Sequence, residues 1–329
     1  MVAPRARRVT SEPTRTASRV RHYNAGPVSH DEAALAPAQP GSPGKANLSV
    51  TALYTAETWG WGALPGAELL VSKEGRTVFR VTNFALAIAR VFNWKLRSLR
   101  CSLLHRHTMI DHLLRESGAR SVLELAAGLS RRGIATTVDP EVRYTEVDLG
   151  PMIAHKRSLL ERTDAGRAAL SRPNLRLVEG DVLEIDLASL AGDSPVQLVI
   201  TEGLLMYLKP EQQRALWRKL RALFGASDEP ARRGTLVFDL VPASEEPPPG
   251  PIGAALGWLM KRFTGGKGFE RDPRTRHDIA AELKEAGFAR VDMIEPADVA
   301  TDWALPHPRV PTRQLLFVAH ALAEEAATP

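Results

Sequence analysis

The chain has 329 residues, with 43 Lys and Arg against 38 Asp and Glu and a net charge of +5. A 44% hydrophobic and 25% charged composition excludes wholesale disorder, and the length suits one large domain or two small ones. The single cysteine excludes an internal disulfide framework and a Cys-rich zinc site, and no apolar run nears the ~18 residues of a membrane span, so a soluble, cytoplasmic protein is expected.

Residues 1–45 hold seven basic residues against three acidic ones, leaving only +1 on the rest of the chain. This stretch is rich in Pro, Ala, Ser and Thr and poor in large apolar residues, so it reads as a disordered basic tail. It lacks the apolar core of a secretory signal; a solvated extension is the leading reading and an organellar transit peptide the alternative. Residues 46–329 read as one domain. Residues 46–118 form its helical cover, with Phe84, Ile88, Val91 and Phe92 at helical spacing.

Strands and helices then alternate. Ser121–Leu125, Val142–Val147, Leu175–Val178 and Val196–Thr201 read as buried strands, with a helix from Pro151 to Leu160 between the second and third. Pro210–Phe224 is an amphipathic helix and Thr235–Leu240 a fifth strand. Residues 242–272 break the rhythm with Pro-rich, apolar and Gly-rich pieces and read as a lid; Trp258, Met260 and Phe263 there suit an acceptor pocket or plain packing equally. Thr275–Ala286 is a helix with a capping box and Gly287 as its stop, followed by strands at Phe288–Ile294 and Gln314–Ala319. The alternation implies an α/β fold with a mostly parallel sheet covered on both faces. In such sheets ligands bind at the carboxyl ends of the strands.

Those ends carry a series of small and acidic residues. The first strand runs into Glu124-Leu125-Ala126-Ala127-Gly128, a turn that lets a ligand approach the backbone. It matches the dinucleotide pattern G-x-G-x-x-G poorly, with Ala126 at the first position and Arg131 at the last, which argues against a NAD enzyme. Asp148, twenty residues past Gly128, suits a ribose diol or a helix start. Asp181 suits an adenine amino group with Val182 on the ring, or a simple turn. Glu202 ends the fourth strand, where the reacting group or a ligand ammonium would lie. A ribose acid, an adenine acid and a fourth-strand acid without a phosphate cradle fit an adenosine carrying an amino-acid end, which is S-adenosylmethionine.

The segments VLELAAGLSRRG, YTEVDLGPMIAHKRSLL, LVEGDVL and ITEGLLMYL resemble the class I S-adenosylmethionine-dependent methyltransferases of the leucine carboxyl methyltransferase / polyketide O-methyltransferase superfamily. The resemblance implies a Rossmann-like sheet of seven strands with the last antiparallel, a helical N-terminal cover and a lid insertion after the fifth strand. It implies cofactor contacts by Arg106, Glu124, Ala126, Gly128, Asp148, Asp181, Val182 and Glu202, with Arg106 on the cofactor carboxylate. Glu202 and Tyr207 are the candidate catalytic residues, Tyr207 as a wall of the acceptor pocket.

His105 and His107 join Glu202 and Tyr207 as candidate bases for a hydroxyl acceptor; a carboxylate acceptor needs none. The spacing of His105, His107 and His112 does not suit a metal site, and none is expected. The resulting expectation is an O-methyltransferase acting on a carboxyl or hydroxyl group of a small, polyketide-like secondary metabolite. The rivals are a protein C-terminal carboxyl methyltransferase, a silent cofactor-binding module and a nucleic-acid methyltransferase, the last disfavoured by the near-neutral domain. No specific nucleic acid and no membrane partner is expected, and the oligomeric state stays open.

Overall fold

The computed structural model describes residues 50–92, 97–190, 195–224, 234–245 and 272–322. These all fall in the compact unit Lys45–Pro329. The basic tail, most of the expected lid and its Trp258, Met260 and Phe263 lie outside the described residues.

Three helices lead: α1 (Val50–Trp61), α2 (Lys73–Phe92) and α3 (Leu99–Ser117). Helix α3 starts where Ser98 accepts a hydrogen bond from the Cys101 amide and ends at Gly118 with φ 60°, a left-handed stop that glycine adopts without strain. The core follows as β1 (Ser121–Leu125), α4 (Arg132–Thr136), β2 (Arg143–Asp148), α5 (Gly150–Leu160), α6 (Asp164–Leu170) and β3 (Leu175–Glu179). Then come β4 (Leu198–Thr201), α7 (Pro210–Leu223), β5 (Thr235–Asp239), α8 (Arg276–Glu285), β6 (Arg290–Ile294), the short α9 (Pro296–Val299) and β7 (Leu316–His320). The expected capping box is present: the Thr275 hydroxyl accepts from the Asp278 amide, and Asp278 accepts from the Thr275 amide.

The sheet has seven strands in the order β3-β2-β1-β4-β5-β7-β6. Strands β1 to β5 pair in parallel, and β7 lies antiparallel between β5 and β6. The seven expected strands all form, and the differences lie at their ends. The expected last strand began at Gln314; the ladder begins instead at Leu316, which pairs with both Asp239 and Ile294.

Side chains alternate across each strand, and this sorts the sheet into two faces. Leu123, Leu125, Val147, Val199, Leu236, Phe238 and Phe317 pack with Leu216, Trp217 and Leu220 of α7 and Ile279 and Leu283 of α8. Val122, Tyr144, Leu198, Ile200 and Val237 point the other way, toward Leu104, Met109 and Ile110 of α3 and Trp59 of α1. Glu124, Glu146 and Asp239 are also buried and, by the same alternation, share this second face.

Candidate active site

Register brings the strand-end carboxylates together. Glu124 pairs with Glu146 on one side and Ile200 on the other, and Thr201 pairs with Phe238, so Glu202 and Asp239 follow side by side. Parallel strands share a carboxyl edge, and helix α3 crosses the face below it.

Glu202 is the centre of a buried ion network. Its Oε1 accepts from Arg106 Nε at 2.9 Å, and its Oε2 lies 2.7 Å from Arg132 Nη2 and 2.9 Å from His107 Nδ1. Arg106 Nη1 donates to Asp239 Oδ2 at 2.9 Å, while Asp239 Oδ1 accepts from the Gly203 amide at 2.6 Å. Arg132 also donates to Asp111 Oδ1 and Glu124 Oε1, each at 2.8 Å, and Tyr144 closes the group with a 2.7 Å hydrogen bond to Glu124 Oε2. Buried charges persist when each is paired and hydrogen-bonded, as here. Burial alone would raise the Glu202 carboxyl, but Arg132, His107 and Arg106 reverse this and hold it well below the usual carboxylate range. Burial and then Arg132 push His107 well below its ordinary value, so its ring is neutral at neutral pH. Its Nδ1 lies 2.9 Å from Glu202 Oε2 and 2.8 Å from Arg132 Nη2, and the tautomer decides whether it donates to the first or accepts from the second. The ring itself is stacked under Trp59 of α1, centroids 4.1 Å apart.

The turn after β1 forms the candidate nucleotide end. Ala126 and Gly128 both have left-handed backbones, φ 52° and 53°; the first is strained for a residue with a Cβ. The Gly128 amide donates to Asp148 Oδ2 at 2.6 Å, and the Leu149 amide to Asp148 Oδ1 at 2.7 Å. Burial raises the Asp148 carboxyl, partly offset by these two amides. Each oxygen retains a lone pair, which is what a ribose diol requires. Below the turn, fully buried Lys156 donates to the Ser130 carbonyl and pairs with Glu146. Burial lifts Glu146 to about 7, against the pull of Lys156. Asp181 stands exposed beyond β3, with Oδ1 accepting from the Leu183 amide at 3.0 Å, and Val182 is buried beside it.

The donor set fits S-adenosylmethionine. Two of the Arg106 donors are spent on Glu202 and Asp239; Nη2 has no hydrogen-bond partner among the described residues and faces Gly203, whose φ of 68° suits glycine. A Cβ built on Gly128 would meet only Ala52 of α1, at 3.6 Å, an ordinary van der Waals distance. Nη2 for a carboxylate, Asp148 for a diol and Asp181 for an amine answer the three polar ends of the cofactor.

Glu124, Glu202 and Tyr207 lie in or beside the ion network. Glu124 has both oxygens engaged by Arg132 and Tyr144, so it braces the turn from beneath. Glu202 is clamped between guanidinium groups, with Oε1 on Arg106 and Oε2 on Arg132. Tyr207 sits in a short 3-10 turn (Leu205–Tyr207), where burial raises its hydroxyl above the ordinary value and Thr51 of α1 partly lowers it. Asp239, Arg132, Asp111 and Tyr144 escaped sequence reading. Asp239 was findable, because it ends β5 as Asp148 and Glu202 end or follow their strands; the partners of Arg132 required the path of α3. Among the described residues no group of His, Cys, Asp and Glu is arranged to hold a metal ion.

Comparison with known proteins gives a family match and a set of structural likenesses. The leucine carboxyl methyltransferase family model matches residues 64–221. A search of curated proteins finds no match. Among solved structures, a Nostoc punctiforme protein assigned as an O-methyltransferase is 18% identical over 67% of this chain and 56% of its own, with a TM-score of 0.46. An O-methyltransferase family protein from Burkholderia thailandensis is 17% identical over 84% and 73%, with a TM-score of 0.45. Magnesium protoporphyrin IX methyltransferase from Synechocystis, with bound SAH, is 15% identical over 68% and 88%, with a TM-score of 0.41. The chain thus spans a little over half the length of the first of these. Over residues 64–221, just under half of its length, the chain is similar to the leucine carboxyl methyltransferase family, and its seven-stranded sheet has the Rossmann-like methyltransferase arrangement.

Proposed function

We propose that the chain moves a methyl group from S-adenosylmethionine to a carboxylate oxygen of a small organic acid, a secondary metabolite of polyketide type. One observation carries the choice of carboxyl over hydroxyl: each candidate base is already engaged. Glu202 is held ionised and clamped by Arg106 and Arg132. His107 is buried and neutral, with Nδ1 held between Glu202 and Arg132. His105 has Thr312 Oγ1 at 2.8 Å from Nδ1 and the Pro306 carbonyl at 2.6 Å from Nε2. Tyr207 has its hydroxyl raised by burial, which makes it a weaker acid and keeps it protonated at neutral pH. A hydroxyl acceptor needs one of these to take its proton; a carboxylate arrives ionised.

The cofactor supplies the methyl group on a sulfonium, and the chain's work is alignment and exclusion of water. Asp148 accepts from the ribose hydroxyls, Asp181 from the adenine amine, and Arg106 Nη2 donates to the carboxylate. Glu202 and Asp239 fix the plane of the Arg106 guanidinium, so that Nη2 is aimed before the ligand binds. Tyr207 and α1 wall the acceptor side.

The test uses labelled cofactor, a panel of organic acids, phenols and peptides with free C-termini, and mild alkali on the products. A methyl ester releases labelled methanol in alkali and a methyl ether does not. Ester formation on small acids is the expected outcome. Alkali-stable products would replace carboxyl by hydroxyl methylation, labelled peptides would select protein carboxyl methylation, and cofactor binding without any product would leave a binding module.

A further inference from the structure

Helix α2 presents an apolar ridge outward. Val81, Phe84, Ile88 and Val91 recur at three- and four-residue spacing, and all four are exposed, Phe84 by 70% and Val91 by 80%. The opposite face of α2 is fixed on α1: the rings of Phe79 and Tyr54 lie 5.2 Å apart, and the Tyr54 hydroxyl donates to Asn83 Oδ1 at 3.2 Å. The ridge is therefore held on a supported helix rather than a loose one. Beside it the helix is basic, with Lys73, Arg76, Arg80 and Arg90 against Glu74 alone. Arg76 and Arg80 continue the same four-residue row as Phe84 and Ile88.

We infer that α2 is a docking face for an anionic lipid surface. The charge complements acidic headgroups, whereas two copies of this basic helix would repel each other. Four apolar side chains in a single row also fall well short of the roughly 20–30 residues a side in a stable protein–protein contact. A planar bilayer asks for less: an apolar ridge that sinks below the headgroups while basic side chains stay at their level. The helix lies along such a surface and does not pass through it, since no described helix is long and apolar enough to cross a membrane. This inference stands apart from the identity of the methyl acceptor.

The experiment is flotation of the full chain with phosphatidylcholine vesicles and with vesicles containing 30% phosphatidylglycerol. Binding to the anionic vesicles should exceed binding to the neutral ones at least tenfold and weaken in high salt. Phe84→Asp with Ile88→Asp should return it to the neutral level, and Arg76→Gln with Arg80→Gln should reduce it severalfold. Circular dichroism and an unchanged melting curve verify that the variants fold. Absence of binding to either vesicle overturns the inference. Full binding by the Phe84→Asp, Ile88→Asp variant overturns it as well, by assigning the contact to the basic residues 1–45. A dimer in light scattering that the same variant splits would instead give the ridge to a second copy.

Discussion

The two faces of the sheet come from the same strands, yet they solve burial in opposite ways. Toward α7 and α8 the face is apolar: the Phe238 and Phe317 rings stack 5.0 Å apart, and Trp217 closes on Phe238 at 5.7 Å. Toward α3 it buries Glu124, Glu146 and Asp239 and supplies them with Arg132, Lys156 and Arg106. The apolar face needs only volume and shape. The charged face needs every partner at once, since each ion is stable only while its neighbours hold it. The apolar face contributes packing, while the charged face contributes stability only as an intact network and carries the candidate ligand contacts.

Substitutions can separate these roles. Arg132→Ala should have the largest effect, leaving Glu124 and Glu202 buried without a main partner; a loss of about 3–5 kcal/mol in urea unfolding is expected. Asp148→Ala should bind S-adenosylmethionine roughly ten- to a hundredfold more weakly in calorimetry while melting near the parent temperature, because hydrogen bonds to a charged group are worth about 1.5–3 kcal/mol. On the apolar face the pattern should invert: Ile279→Val costs about 0.5–1.5 kcal/mol of stability with cofactor affinity unchanged. Equal effects of Asp148→Ala and Ile279→Val on cofactor affinity would erase the distinction between the faces.

Acid should act on the charged face through His107 and Glu202. The His107 ring stays neutral in the fold but takes a proton in the unfolded chain below its ordinary pKa, so stability falls as pH drops through about 6.5. Glu202, depressed in the fold, stabilises it above its ordinary carboxylate value and loses that contribution as pH falls further. Both slopes have the same sign. A His107→Gln variant should flatten the first by up to about 1.4 kcal/mol per pH unit, read from unfolding curves between pH 5 and 7.

Much of the fold was legible because its signals are local. Short apolar runs, Pro151 inside a helix start and the Thr275–Asp278 box depend on neighbours in sequence, and all appear within a few residues of expectation. The strand-end acids Asp148, Asp181 and Glu202 were legible by the same logic. What they bond to was not. Glu202 meets Arg106 across 96 residues and Arg106 meets Asp239 across 133, and no periodicity encodes such pairings. The same limit hid the exposure of Phe84 and Ile88: helical spacing marks an apolar face without saying what lies against it.

The place of β7 has a consequence for how the chain is made. The ribosome releases β6 before β7, yet β6 joins the sheet only through β7. Until Leu316–His320 emerges, β5 has an open edge, and Asp239, which ends it, has no backbone ladder beyond it. The partner that orients Arg106 is therefore among the last parts of the site to be fixed. A nascent chain stalled before residue 316 should expose that edge to chaperones and leave Arg106 without its fixed partner, even with every other strand already synthesised.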